Sequence, residues 1–170
     1  HEIRTPLNAI LGVADLLGES ELNAEQNKLV GVFRKSGRLL LQIVNDILDF
    51  AKIEARELRL QDAPFDPVQL LDDICETYRL AATEKGLELK CSLRILDEAG
   101  KRLLEADDTT EANTAPLMQC FGDAGRLNQI LGNLIGNAIK FTDAGSVEVS
   151  LQMRVHASAN KAALRFSIRD

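Results

Sequence analysis

From Leu29 onward, apolar residues recur in alternating steps of four and three: Leu29, Phe33, Leu40, Ile43, Ile47 and Phe50, with Ser36 in the same series and Leu39, Val44, Leu48 and Ala51 widening the stripe. Residues so spaced share one side of an α-helix and form a bundle seam. Asn23, followed three residues later by Gln26 and with Glu25 in the first turn, predicts where that helix starts. Running from about Ala24 to Leu58, it would be ~50 Å long at the helical rise per residue. Upstream, Ile3, Leu7, Ile10, Leu11, Ala14 and Leu17 also have helical spacing, and the chain is expected to leave that helix between Gly18 and Asn23. No capping residue precedes His1, so the first helix is expected to begin upstream of it.

Two helices joined by so short a connection make an antiparallel hairpin, and the first is too short to cover the second. A second copy of the hairpin would satisfy the remaining stripe as a dimeric four-helix bundle. The alternative is packing against the rest of the same chain.

After Leu58 the pattern changes. Pro64 and Pro67 flank a short extended stretch, and Asp66 is placed to cap a helix over about 67–85, with Pro67 at its first position and Gly86 just beyond its end. Leu87, Leu89, Cys91, Leu93 and Ile95 alternate with polar residues, the period of a half-buried strand. Residues 97–116 are polar and acidic and are expected to form a loop or excursion. A helix follows over about 124–141, with Leu127, Ile130, Leu131, Leu134, Ile135 and Ala138 expected on its buried side. Strands are expected at 147–153 and 164–168. The fold class is therefore α+β: a helical hairpin at 1–58, then helices over one face of a mixed sheet at 59–170.

Composition narrows the function. The 170 residues are 45% hydrophobic and 27% charged, which suits a folded domain and argues against disorder. A net charge of −6 without clustered Lys and Arg disfavours a nucleic-acid partner. No apolar run approaches the ~20 residues that span a bilayer, so no direct membrane contact is expected from these residues. Cys75, Cys91 and Cys120 are odd in number and far apart, and read as buried or idle thiols in a reducing compartment.

Two stretches exceed what folding demands, HEIRTPL at residues 1–7 and NLIGNAIKFT at 133–142. Asn133 and Asn137 are four apart and project from one side of a helix, with Lys140 and Phe141 close by. Amide oxygens can ligate a hard cation without adding charge, and a lysine ammonium can neutralise phosphate. Alone, a terminal histidine is equally an exposed bystander, and two asparagines are equally a solvated helix face.

Taken together and in this order, the two stretches resemble the phospho-acceptor box and the nucleotide-binding asparagine box of sensor histidine kinases. The resemblance implies that the 59–170 region is the N-terminal part of an α/β sandwich that binds ATP with Mg²⁺. It implies that His1 is the phosphoryl acceptor, that the adjacent Glu2 holds or removes the other ring proton, and that Thr5, one turn on, positions water to dephosphorylate a partner aspartate. By the same resemblance Asn137 and Asn133 hold Mg²⁺ with the triphosphate, Lys140 contacts phosphate, and Phe141 lines the nucleotide pocket. Asp170 aligns with the aspartate that accepts the adenine amino group, where guanine would present a carbonyl instead.

Pro6 has two readings. At a helix N-terminus it costs little; inside a helix it leaves the Glu2 carbonyl without a donor and loosens the turn carrying His1. The family motif lies inside a helix, which favours the second.

The family's partners would be a second copy, through the hairpin, and the receiver domain of a response regulator, in cis or in trans. The sequence is most like the hybrid subgroup, in which a receiver often follows in the same chain. Departures from the pattern are Ala124 where proline is usual and the lack of glycine-rich boxes and an ATP lid before Asp170. The 170 residues alone are therefore expected to bind ATP poorly and to be inactive. The alternatives are a catalytically inactive dimeric scaffold of the same fold and an ATPase of the related chaperone and topoisomerase superfamily. The expected location is cytoplasmic, with room for an inner-membrane anchor upstream.

Overall fold

Three carboxylate or amide side chains start the helices that organise the chain. The computed structural model describes residues 3–106, 119–156 and 161–170, so His1 and Glu2 lie outside the described residues. The chain divides into two units, His1–Arg59 and Leu60–Asp170.

The first unit is a helical hairpin, α1 (Arg4–Gly18) and α2 (Ala24–Glu54). Asn23 and Gln26 cap α2 reciprocally, each side chain taking the other's backbone N–H at 2.9–3.0 Å. α2 stops four residues short of the expected Leu58. Arg56 turns left-handed at φ 56°, and Glu57 and Arg56 donate back to the carbonyls of Lys52 and Ile53, closing the helix end.

Leu7, Leu11 and Ala14 of α1 are buried. On α2 burial falls on Val30, Arg34, Gly37, Leu41, Val44, Asn45 and Asp49, all half-buried. Gly37 is where the helices come closest, since a Cβ there would lie 2.7 Å from Leu11 Cδ2. Arg4 donates to Asn45 Oδ1 at 2.6 Å, and Asp15 pairs with Arg34 at 2.6 Å, so polar contacts bracket the apolar seam at both ends. The long stripe read from the sequence is a different face: Leu29, Phe33, Leu40, Ile43, Ile47 and Phe50 are all exposed in the single chain.

In the second unit Asp66 accepts from the Val68 and Gln69 amides and starts α3 (Pro67–Glu84). Asp123 accepts from the Arg126 amide and starts α4 (Ala124–Phe141). A four-stranded sheet runs in the order β3 (Arg102–Ala106), β2 (Glu88–Leu96), β5 (Ser146–His156), β6 (Lys161–Arg169). Within this sheet β2 and β5 pair in parallel, and the other described neighbours pair antiparallel. The short strands β1 (Ala63–Phe65) and β4 (Cys120–Gly122) pair antiparallel as a second sheet. One face of the large sheet (Leu89, Cys91, Leu93, Ile95, Val147, Val149, Leu151, Met153) meets α3 and α4 through Leu71, Ile74, Leu131 and Ile135. This is the expected α+β arrangement of helices over one face of a mixed sheet.

Three expectations need correction. The excursion assigned to 97–116 contains a strand: a turn at Asp97–Gly100 leads into β3, which pairs antiparallel with β2, while 107–118 lies outside the described residues. Arg-Leu-Leu-Glu-Ala does not alternate cleanly, and Leu103 is exposed, so the period that marks a strand is blurred at this sheet edge. Cys75 and Cys91 are not idle thiols; they form a disulfide between the inward faces of α3 and β2, both fully buried. Ile130 and Leu134, assigned to the buried side of α4, are 56% and 49% exposed.

The last point gives a stability test. Ile135 is fully buried, so Ile135→Ala removes packed volume and should lower unfolding free energy by about 2–5 kcal/mol. Leu134→Ala, one residue along, should cost under about 1 kcal/mol. Chemical denaturation of the two variants checks the difference, and equal losses would mean that α4 is turned the other way.

Candidate functional site

Residues of the first box that are described begin at Ile3, the residue preceding α1. Pro6 is the third residue of α1, within its first turn, where a missing N–H leaves few helical bonds unmade. The turn to which the kink was assigned carries His1 and Glu2, which are outside the described residues. Thr5 is exposed, and beside it Arg4 reaches across to Asn45 of α2, tying the start of α1 to its partner helix.

The second box is the C-terminal half of α4. Leu131, Ile135, Ala138 and Ile139 are buried against the sheet. Asn133, Asn137, Lys140 and Phe141 all lie on the exposed side, as the four-residue spacing requires. Ile130 and Leu134 share that side, so the face presents amides, an ammonium and bare apolar groups together. Phe141 is 69% exposed. The Lys140 ammonium lies 5.1 Å from the Phe141 ring centroid, a cation over an aromatic face.

Sheet register places the remaining candidate. Arg169, the last residue of β6, is opposite Glu148 near the start of β5, so Asp170 follows at the sheet end where α4 hands over to β5. Lys140, Phe141 and Asp170 therefore belong to one end of the second unit, and all three are exposed. Asn133 lies two turns back along α4.

Neutral amide oxygens and a lysine ammonium are groups that could meet a cation and phosphate. Among the described residues no group of three or more His, Cys, Asp or Glu side chains could hold a metal. A cation here would be held by amide oxygens, by water and by phosphate brought with the nucleotide.

α4 is anchored at both ends. At its start, the Asp123 carboxylate accepts the Gln61 amide at 3.0 Å and the Arg126 amide at 2.9 Å. Those backbone bonds, Gln61 first, lower its pKa. A lowered carboxyl pKa means that this cap is intact above the ordinary carboxylate range and is lost only as pH falls through the lowered value. Along its length, Tyr78 of α3 packs on Gly132 and Gly136, and partial burial raises its phenol pKa. At its end, the Lys85 ammonium donates to two α4 carbonyls, a contact that sequence reading missed. The available signal was a lysine immediately before the helix-ending Gly86, which could serve a second helix only once the fold had brought that helix near.

Residues 1–56 match the His Kinase A (phospho-acceptor) domain. The chain is 35% identical over 158 residues to a probable histidine kinase 4 of Oryza sativa subsp. japonica, covering 93% of this chain and 14% of that protein. It is 42% identical over 153 residues to the autoinducer 2 sensor kinase/phosphatase LuxQ of Vibrio cholerae, covering 90% of this chain and 16% of LuxQ. The 170 residues belong to the sensor histidine kinase family. The crystal structure of full-length ShkA in complex with AMPPNP superposes on 99% of this histidine kinase chain and 31% of the ShkA chain, with a TM-score of 0.61 and 38% identity. The kinase chain thus spans about one seventh of the length of the curated relatives it matches. No helix among its described residues is long and apolar enough to cross a membrane.

Proposed function

We propose that this chain carries the phosphoryl-acceptor and part of the nucleotide-binding machinery of a two-component sensor kinase. His1 accepts the γ-phosphoryl group of ATP and passes it to an aspartate on the receiver domain of a response regulator. The match of residues 1–56 to the phospho-acceptor domain, with His1 heading the HEIRTP box, carries this reading.

A neutral imidazole nitrogen attacks the γ-phosphorus in line; a nitrogen–phosphorus bond forms as the bond to the β,γ-bridging oxygen breaks, and ADP leaves. Glu2 holds the proton on the other ring nitrogen and stabilises the charged ring. Asn137 and Asn133 offer amide oxygens to Mg²⁺, Lys140 meets phosphate oxygens, Phe141 lines the nucleotide pocket and Asp170 accepts the adenine amino group. When bound, Mg²⁺ neutralises charge on the triphosphate. Thr5 positions water for the reverse activity, hydrolysis of the receiver phosphoaspartate.

The exposed stripe of α2 supports a homodimer through the hairpin, since a face bearing Leu29, Phe33, Leu40, Ile43 and Ile47 has more apolar surface than a monomer usually leaves bare. The machinery is assigned to the cytoplasm, with any membrane anchor upstream.

The test is the chemistry of the product. Full-length protein incubated with Mg²⁺ and γ-labelled ATP should take up label that acid removes and base leaves in place, as expected of a phosphoramidate. Label stable in acid would place the phosphate on a hydroxyl and overturn the assignment.

A further inference from the structure

We infer that Lys85 is a positioning residue for the nucleotide-contacting end of α4, an inference that rests on the α4 site proposed above. Lys85 is the C-cap of α3 and is itself exposed, yet its ammonium is pinned: Nζ donates to the Ile139 carbonyl at 2.9 Å and to the Lys140 carbonyl at 2.7 Å. The second acceptor belongs to the residue assigned to phosphate, and the next residue in the chain is Phe141.

The last four carbonyls of any helix lack intrahelical donors. In α4, whose C-cap is Thr142, these begin with the carbonyls of Ile139, Lys140 and Phe141. The Thr142 amide and hydroxyl both donate to Ala138, at 3.0 and 2.7 Å. Lys85 takes the next two. One ammonium from a neighbouring helix thus holds the turn from which Lys140 and Phe141 project.

The backbone of α3 is arranged to keep that ammonium in place. Gly86 takes φ 76°, its amide donates to the Thr83 carbonyl, and the Leu87 amide donates to Ala82 across the helix end. Leu87 is buried, and the Glu88 amide donates to the Gly145 carbonyl, fastening this turn to the one that follows α4. The negative ends of two helix macrodipoles meet at this point, and the Lys85 charge stabilises both. Losing it would leave α3 and α4 folded on their shared core but free the last turn of α4 to fray.

A residue acting this way changes nucleotide affinity more than turnover. In the full-length kinase, Lys85→Met keeps the aliphatic stem and removes the ammonium. It should raise KM for Mg-ATP, and the Kd of a non-hydrolysable ATP analogue, about tenfold, the lower end of the cost seen when groups orienting a site are lost. kcat at saturating ATP should stay within about twofold, since the reacting groups are untouched. Amide exchange over 140–145 should quicken while exchange in the β2 and β5 core is unchanged. Lys85→Arg, which keeps the charge, should recover most of the affinity. Lys90→Met, on the outward face of β2, is the control and should change nothing.

An unchanged KM in Lys85→Met overturns the inference, and so does an equal loss of kcat and thermal stability, which would make Lys85 merely structural. Asn137→Ala, run in parallel, separates the two proposals. If Asn137→Ala binds the analogue normally, the α4 site itself is wrong. If it fails to bind while Lys85→Met binds normally, only the role of Lys85 is lost.

Discussion

Replacing His1 by Gln in the full-length kinase is expected to abolish uptake of acid-labile phosphate, a loss of at least ~10³-fold, as removing a nucleophile does in enzymes where it has been measured. Gln keeps similar bulk and helix propensity, so the hairpin should fold and dimerise as before. It lacks a basic nitrogen lone pair, which the neutral imidazole supplies near pH 7 and an amide does not. Receiver dephosphorylation, which the proposal assigns to Thr5 and water, should outlast this change, whereas Thr5→Ala should lower it and spare autophosphorylation. Label uptake and phosphoaspartate half-life are measured on the same two variants. Phosphorylation that survives His1→Gln with its acid lability intact would put the acceptor elsewhere and defeat the kinase mechanism.

The two units were legible to different depths. In the second, each helix carries its own start and stop signal. Asp66 caps α3 where the sequence places it, α4 starts where expected, and Gly86 closes α3 where expected. β2 and β5 bury alternate residues against helices, so their period survives in the sequence. β3 pairs at a sheet edge with Leu103 in solvent, and its period does not. The Cys75–Cys91 bond was invisible because nothing in a 16-residue separation reports that one residue faces inward from a helix and the other from the strand beneath it.

In the first unit the apolar stripe was visible but its destination was not. Each helix has two apolar aspects. Leu7, Leu11 and Ala14 are spent within the hairpin, while Ile10, Val13, Leu17, Leu29 and Phe33 line an open groove between the helices. Spacing alone cannot distinguish the face that meets α1 from the face left bare, because both repeat every three or four residues. The exposed face of α4 that carries the candidate residues was legible for a different reason. Asn, Lys and Phe fall on the outward side of α4 because their spacing sets them opposite the core residues, whereas Lys85 serves a helix that is adjacent only after folding.

Asn137→Ala should have the second large effect, on nucleotide binding. Asn137 is exposed on α4 between the buried Ile135 and Ala138, and its amide takes no part in the core packing of those neighbours. Alanine is also the best helix former, so the fold should be unharmed or slightly stabilised. On the proposed role, what is lost is a neutral oxygen for Mg²⁺, which has no cluster of carboxylates available to it among the described residues. Groups that merely support metal ligands cost 10–100-fold when removed, so a direct ligand should reach the upper end, an affinity for Mg-ATP about a hundredfold weaker. Nucleotide binding without Mg²⁺ should change much less. Calorimetry of the full-length kinase with ATP, in the presence and absence of Mg²⁺, reads both quantities. An equal loss in the two conditions would mean that Asn137 meets the nucleotide directly and that the cation is held elsewhere.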